Sequence, residues 1–572
     1  MTRRIILAAL LIGLVLWLTP ILFPTPKTPP RPSGAATGAA PATATGAASA
    51  ATPTAGASTA AAQPNALGQA PTAATGVPGI APVTPETTTI SGPRAEMRFS
   101  SQGAALVGAV MKDFRSLQRN GPPHVELARP GEPLLSFAIA TPTDTIPLAG
   151  TSFTTNKLAD NAVAYQAATP AGQVDVRYAI VPDSYVVRVT GALHGAPAGT
   201  TLLVALPQGL RSSEADTTDD MRHLAIAYKR KTEDAKGVAF TKVDPGKQEL
   251  IQGPITWAVT KNKYFLVAVA ARDTAHAFGP LTITGLPRAS KTVTHMAGAL
   301  QVPLADGAFA FDVYAGPQEW RRLRALGRDL DTANPYGGFL QGVVQPFATL
   351  VMRALLWLHE TFNMSYGWVL VLFGVMIRLL TWPLNQSAMR TSLKMQRIQP
   401  ELQELQKRHR GDPQRLNAEM MRLYKEHDMS PFSSLAGCMP MLIPMPILFA
   451  LFFVFQNTIE FRGVPFLWLP DISLRDPYYI LPILMGISMF LLSWIGMRGV
   501  PPNPQAKMMA YVMPIVMTVI FFRFPSGLNL YYTVQNLVTI PQQWMLSKER
   551  AKANVRPVVS TPGPARARGS RA

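Results

Sequence analysis

Five apolar runs fill the C-terminal part of the chain, at about Tyr366 to Leu384, Cys438 to Phe455, Tyr478 to Gly496, Met508 to Phe522 and Gly527 to Leu546. An α-helix needs roughly 20 such residues to cross a hydrocarbon layer. Each run is near that length, the fourth falling short before Arg523. Inside lipid no water satisfies a peptide group, so a run of this kind must fold as a helix. A sixth run, Ile5 to Phe23, follows Arg3 and Arg4. It is longer than the core of a cleavable signal, and Thr19-Pro20 and Pro24-Thr25-Pro26-Lys27 replace a small-residue cleavage site. Residues 1–23 are therefore expected to be a retained anchor.

The formal net charge is +19. No zinc-finger spacing or RNA-binding aromatic motif accompanies it, so no specific nucleic-acid target is expected. The basic residues gather beside the apolar runs, as they do on the cytoplasmic side of membranes. Asn385 to Gly437 has nine Lys/Arg against six Asp/Glu, Arg498 to Lys507 has two against none, and the tail 547–572 has seven against one. Gln456 to Pro477 carries Arg462 and Arg475 against Glu460, Asp471 and Asp476, and belongs outside. Six transmembrane helices, an N-terminal anchor plus a five-helix core, with both termini in the cytoplasm, satisfy these counts.

Residues 24–93 are dominated by Ala, Pro, Thr and Gly. Such a tract cannot bury enough apolar surface to offset its ordering entropy and reads as a flexible linker. From Arg94 the pattern changes to alternation, as in Val174, Val176, Tyr178, Ile180, then the turn Pro182-Asp183-Ser184, then Tyr185, Val187, Val189. Period-two runs broken by turns predict antiparallel strands. Residues 94–335 form a β-rich globular domain on this reading, placed in the periplasm by the anchor before it and closed by a short helix over Glu319 to Leu326.

The core spans 339–546 and starts with an amphipathic stretch, Phe339 to Glu360, suited to the membrane interface. Within 385–437, Met395, Ile398, Leu402 and Leu405 recur at helical spacing. Gly411-Asp412-Pro413 follows, with Asp412 as N-cap and Pro413 opening a second helix through Leu416, Met420, Leu423 and Tyr424. The prediction is a cytoplasmic helical hairpin, and the whole is an α+β membrane protein.

Arg378 lies inside the first core run with apolar neighbours on both sides. A charge at the centre of a membrane helix costs about 2.5 to 3.5 kcal/mol on insertion scales. At about 1.5 Å per residue it is roughly 9 Å from Leu384, so it either snorkels to the interface or faces a wet cavity. No Asp or Glu occurs in the other spans to pair with it. The last run adds Tyr531, Tyr532, Thr533, Gln535 and Asn536, several of which can share one helix face as interhelical contacts or as contacts to a substrate. Enzyme motifs are missing: Asn363 stands where a zincin helix after His359-Glu360 needs its second histidine, and Gln248 spoils a phosphate loop at Gly246-Lys247. No catalytic residue, metal or cofactor is expected. Cys438, the single cysteine, reads as a packing residue.

Asn363 to Gly367, Ile377-Arg378-Leu379-Leu380-Thr381-Trp382-Pro383-Leu384, Lys394-Met395-Gln396 and Gln399-Pro400 together resemble the YidC membrane protein insertases. So do Gly437-Cys438-Met439-Pro440, Pro446-Ile447, Phe466 with Trp468, Asp476-Pro477, Ile480-Leu481-Pro482-Ile483, Met513-Pro514, Phe524-Pro525-Ser526-Gly527-Leu528 and Leu530-Tyr531. Gly103 to Phe114, Trp257 to Phe265 and Val313-Tyr314-Ala315-Gly316-Pro317 resemble the periplasmic domain of Gram-negative members.

The resemblance implies a periplasmic β-supersandwich domain on a five-helix core, with a hydrophilic groove open to cytoplasm and lipid. Arg378 would line that groove, Tyr532 would meet the incoming segment, and Tyr531, Gln535 and Asn536 would add polar lining. Pro444 and Gly374 depart from the family pattern, which often has glutamine and threonine there. The implied function is insertion and folding of nascent inner-membrane proteins, alone or with the Sec translocon, with the ribosome and anionic lipids as further partners. A secondary transporter is the rival reading, although no internal repeat is visible. An envelope-assembly module built on the β-domain is another.

Overall fold

The computed structural model describes residues 85–273, 276–288, 294–334, 341–409, 412–426, 445–498 and 504–555. The expected anchor, most of the linker, Cys438, Pro444 and the end of the tail lie outside them.

Val174, Val176, Tyr178 and Ile180 are buried positions of strand Gly172–Ile180, and Val187 and Val189 are buried positions of Val186–His194. The two strands pair antiparallel with Val187 opposite Ile180. They belong to a nine-stranded sheet ordered Lys236–Ala239, Ala225–Arg230, Ile255–Lys261, Phe265–Ala271, Ala308–Pro317, Val186–His194, Gly172–Ile180, Ala162–Thr169, Thr154–Ala159. A six-stranded sheet is ordered Gln248–Ile251, Leu281–Arg288, Thr294–Pro303, Thr201–Leu206, Ser136–Ala140, Thr145–Pro147. A four-stranded sheet, Thr87–Ser91 to His124–Glu126, joins the same apolar core, which includes Phe99, Tyr165, Tyr178, Trp257 and Phe311. Inward-facing residues of packed sheets make this a β-sandwich.

One boundary corrects the sequence reading. The linker to residue 93 is too long, because Thr87–Ser91 pairs with Ala95–Ser100 and Ile90 is buried. Thr87, Thr88, Thr89 and Ile90 are all β-branched and suit a pleated, half-buried surface, a local signal masked by the bland composition before it.

Strands Ile255–Lys261 and Phe265–Ala271 are buried at every position. Helix α1, Thr217–Arg222, lies against their connection, where Asp220 accepts from the Lys263 backbone N–H at 3.0 Å. Helix α2, Trp320–Ala325, ends the domain as expected, and the chain beyond it covers the sheet: Trp257 Nε1 donates to the Arg328 carbonyl at 2.9 Å and Lys261 Nζ to Asn334 Oδ1 at 2.7 Å. Burial pushes Lys261 down to about 8.

The helical part comprises α3, Gln341–Phe362, α4, Tyr366–Arg408, α5, Pro413–Glu426, α6, Met445–Asn457, α7, Ile480–Gly496, α8, Pro504–Phe521, and α9, Ser526–Val555. Two ends differ from expectation. The first core span and the first hairpin helix are one helix, α4, so Leu384-Asn385 marks a change of polarity and not a break in the backbone. Helix α9 passes Leu546 into the basic tail, since Lys548, Glu549, Arg550, Ala551 and Lys552 are good helix formers. Among the described residues, one helical stretch, Tyr366–Pro383, is both long and apolar enough to cross a membrane, while Ile480–Gly496 and Lys507–Phe521 are apolar but shorter.

Helix α3 buries Val344, Ala348, Val351 and Leu355 in the bundle and leaves Leu350 and Trp357 exposed, as an amphipathic helix should. The hairpin of α4 and α5 closes on Ile398, Leu402, Leu423 and Tyr424. Asp412 Oδ1 accepts from the backbone N–H groups of Gln414 at 3.1 Å and Arg415 at 3.0 Å, the N-cap read from Gly-Asp-Pro.

The bundle meets the β-domain through the segment between α6 and α7. Ile459 enters the β-domain core. Arg462 Nε donates to Glu214 Oε1 at 2.7 Å, with both side chains 5% exposed, and the guanidinium lies 5.5 Å from the Phe265 ring centroid. Arg321 reaches Glu360 at 2.7 Å, and Arg353 lies over Trp320.

Candidate functional site

On α4, Val369, Leu370 and Phe373 are buried, whereas Leu379 and Leu380 are 59% and 73% exposed. With 3.6 residues per turn, Arg378 falls at the edge between the packed face and the bare apolar face. No acidic partner is expected for it, and the structure supplies a neutral one: Nη2 donates to Gln542 Oε1 of α9 at 2.5 Å, while Nε is buried with no hydrogen-bond partner among the described residues. Gln542 is 2% exposed, and its Nε2 donates to the Trp382 carbonyl at 3.5 Å.

One turn before Arg378, a Cβ on Gly374 would meet Val534 Cγ1 at 3.1 Å and Tyr531 Cδ2 at 3.6 Å. The glycine lets α4 and α9 approach, and its carbonyl accepts from Gln535 Nε2 at 2.8 Å. The same Nε2 donates to the Tyr531 hydroxyl at 3.1 Å. Gly374, Arg378 and Trp382 are successive turns of α4, matched by Tyr531, Gln535 and Gln542, whose spacings of four and seven keep them on one face of α9. The result is a polar seam between the apolar parts of two helices.

Other expected site residues lie elsewhere. Asn536 donates to Ser488 Oγ at 3.0 Å and the Met485 carbonyl at 3.5 Å, so it ties α9 to α7. Tyr532 packs edge-on against Phe521 at 5.3 Å, toward the end of α8. Gly374 contributes its carbonyl and its missing side chain. Pro444 is outside the described residues. Sequence reasoning missed Gln542 because the run to Leu546 was read as apolar after Asn536. Its spacing of two turns from Gln535 was the available signal.

The far end of the seam is fixed by the segment after α6. Asp471 accepts from the backbone of Gly463 at 2.9 Å and Ser473 at 2.7 Å, and Asp476 from Tyr478 at 3.0 Å and Leu481 at 2.8 Å, capping α7. The Ser526 and Gly527 N–H groups donate to the carbonyls of Leu474 at 2.7 Å and Ile472 at 2.9 Å. The first turn of α9, whose donors would otherwise lack partners, is thereby held.

The family model of the 60Kd inner membrane protein matches residues 357–553, and that of the YidC periplasmic domain matches residues 87–350. A Chlorobium luteolum protein named membrane protein insertase YidC is 31% identical over 435 residues, covering 71% of this chain and 71% of its own. The chain belongs to the YidC family. An Anaeromyxobacter sp. YidC is 35% identical over 326 residues, 56% of this chain and 55% of its own. The chain thus spans about half the length of that curated YidC relative. A crystal structure of an active YidC insertase with its first transmembrane domain resolved covers 80% of this chain and 92% of its own at 16% identity, with a TM-score of 0.32.

Proposed function

We propose that this protein is a membrane protein insertase of the bacterial inner membrane, which inserts and helps fold nascent membrane proteins alone or beside the Sec translocon. On this reading the chain has six spans and both termini in the cytoplasm, with the β-domain in the periplasm. The observation that carries the proposal is Arg378, the one charge in Tyr366–Pro383, placed beside exposed leucines and bonded to a neutral amide.

An apolar substrate segment needs no external energy to enter lipid, since each Leu-type residue contributes about −0.3 to −0.6 kcal/mol, roughly −6 to −12 over about 20 residues. The barrier is the hydrophilic flank. A groove along the polar seam, open to the cytoplasm, hydrates that flank part of the way, and Arg378 attracts its acidic groups. The bare apolar faces of α4 and α7, with Leu379, Leu380, Ile483 and Ile487, then release the substrate helix sideways. The basic hairpin and tail suit a ribosome surface, and Arg498 over Trp494 with Lys548 over Trp544 suits anionic lipid headgroups.

Insertion of a substrate with a short translocated tail, acidic or neutral, tests the mechanism. Arg378→Ala is expected to slow the acidic tail about tenfold and the neutral tail much less, a difference of about 1.4 kcal/mol, and Arg378→Lys to retain most activity. Unchanged insertion of both tails by both variants would remove the electrostatic role.

A further inference from the structure

The contact between Arg378 and Gln542 has a chemistry that a random polar pairing in a helix bundle would not need. The Gln542 amide is held at both ends, its oxygen by the Arg378 Nη2 and its nitrogen near the Trp382 carbonyl, one turn along the same helix. A flipped amide would set NH₂ against the guanidinium and oxygen against a carbonyl, donor on donor and acceptor on acceptor, so one orientation satisfies both contacts. The side chain is buried at 2% exposure and has no room to wander. Pro541 precedes it and has no backbone N–H, which loosens the local helix ladder where this side chain leaves α9.

A glutamine fixes the direction of an arginine and leaves its charge uncompensated, whereas a glutamate at the same place would neutralise it. A guanidinium has five N–H donors, and the bond to Gln542 engages one nitrogen while the buried Nε has no partner among the described residues. We propose that Gln542 is a positioning residue for Arg378, holding the cation toward passing polypeptide and thereby setting a preference for acidic over neutral translocated segments. This rests on the insertase reading and adds to it a second residue and a direction of selectivity.

The test uses the full-length protein in proteoliposomes with two substrates that differ in an acidic or neutral tail, comparing the wild type, Arg378→Ala, Gln542→Glu and Gln542→Met. Gln542→Glu supplies an internal counter-ion and is expected to lower the acidic-to-neutral insertion ratio about tenfold, while the neutral tail stays within about twofold. Gln542→Met keeps length and volume without the hydrogen bonds and is expected to lower the ratio about threefold by letting the arginine swing. Neither change is expected to add to Arg378→Ala in a double variant. A residue that merely packs would slow both tails equally, and an unchanged ratio in both Gln542 variants, with the ratio still lost in Arg378→Ala, overturns this inference and leaves the insertase reading intact. If Gln542→Glu does not fold, Gln542→Met decides. Failure of both to fold would assign Gln542 to stability and overturn the proposal. A wild type that inserts neither substrate would overturn the insertase reading and this inference with it.

Discussion

At position 374 the absence of a side chain does more than any polar group could. Val534 and Tyr531 of α9 occupy the space a Cβ would need, and the bared carbonyl receives Gln535. Gly374→Thr, which would add a β-branched side chain in that space, is expected to cost about 1 to 3 kcal/mol by overpacking. Thermal unfolding in detergent should show the loss, and Val534→Ala in the same chain should recover most of it. An unaltered melting temperature in the single variant would mean that the two helices are not in fact tight there. Arg378 was legible in the sequence because a lone charge in an apolar run is conspicuous. Gln542 was not, because its spacing of two turns from Gln535 gains meaning only once a partner 164 residues away is known.

Helices and strands were read where their signals are periodic and missed where composition or polarity changes within an element. The alternation around Tyr178 and the Gly411-Asp412-Pro413 stop-and-start are local chemistry, and both produced the expected elements. The strand at Thr87–Ser91 sits at the end of a monotonous tract, and α4 crosses from apolar to charged without interrupting its hydrogen bonds. The cap at Asp412 makes the hairpin testable as an element. Asp412→Ala removes the acceptor for two backbone donors and should cost about 1 kcal/mol. Hydrogen exchange in the first turn of α5 should quicken by about fivefold while α7 is untouched. Equal protection in both proteins would show that packing on Leu423 and Tyr424 holds the helix without its cap.

The molecule as a whole depends on a junction that neither half predicts. Glu460, beside Arg462, is raised to about 7, chiefly by burial and further by Glu319, with backbone donors and Arg321 opposing. The docked state therefore holds a proton more firmly than the undocked one. Its contribution to docking is complete below the ordinary value of 4.5 and is lost as pH rises through about 7. Exchange across residues 456–477, corrected for intrinsic rate, should be faster at pH 8 than at pH 6, and Glu460→Gln should flatten that difference. A variant that keeps the full pH dependence would place its origin in another group.

Glu214 and Arg462 stand 248 positions apart in the chain and meet where water does not reach. Removing one partner strands the other as a bare charge in the interior, a loss on the order of 3 to 5 kcal/mol, whereas exchanging both for apolar groups of similar size is often neutral. The two positions therefore act as one energetic unit. A lineage can discard the pair or keep it, and a graft of a foreign β-domain onto this bundle needs the matching loop to travel with it.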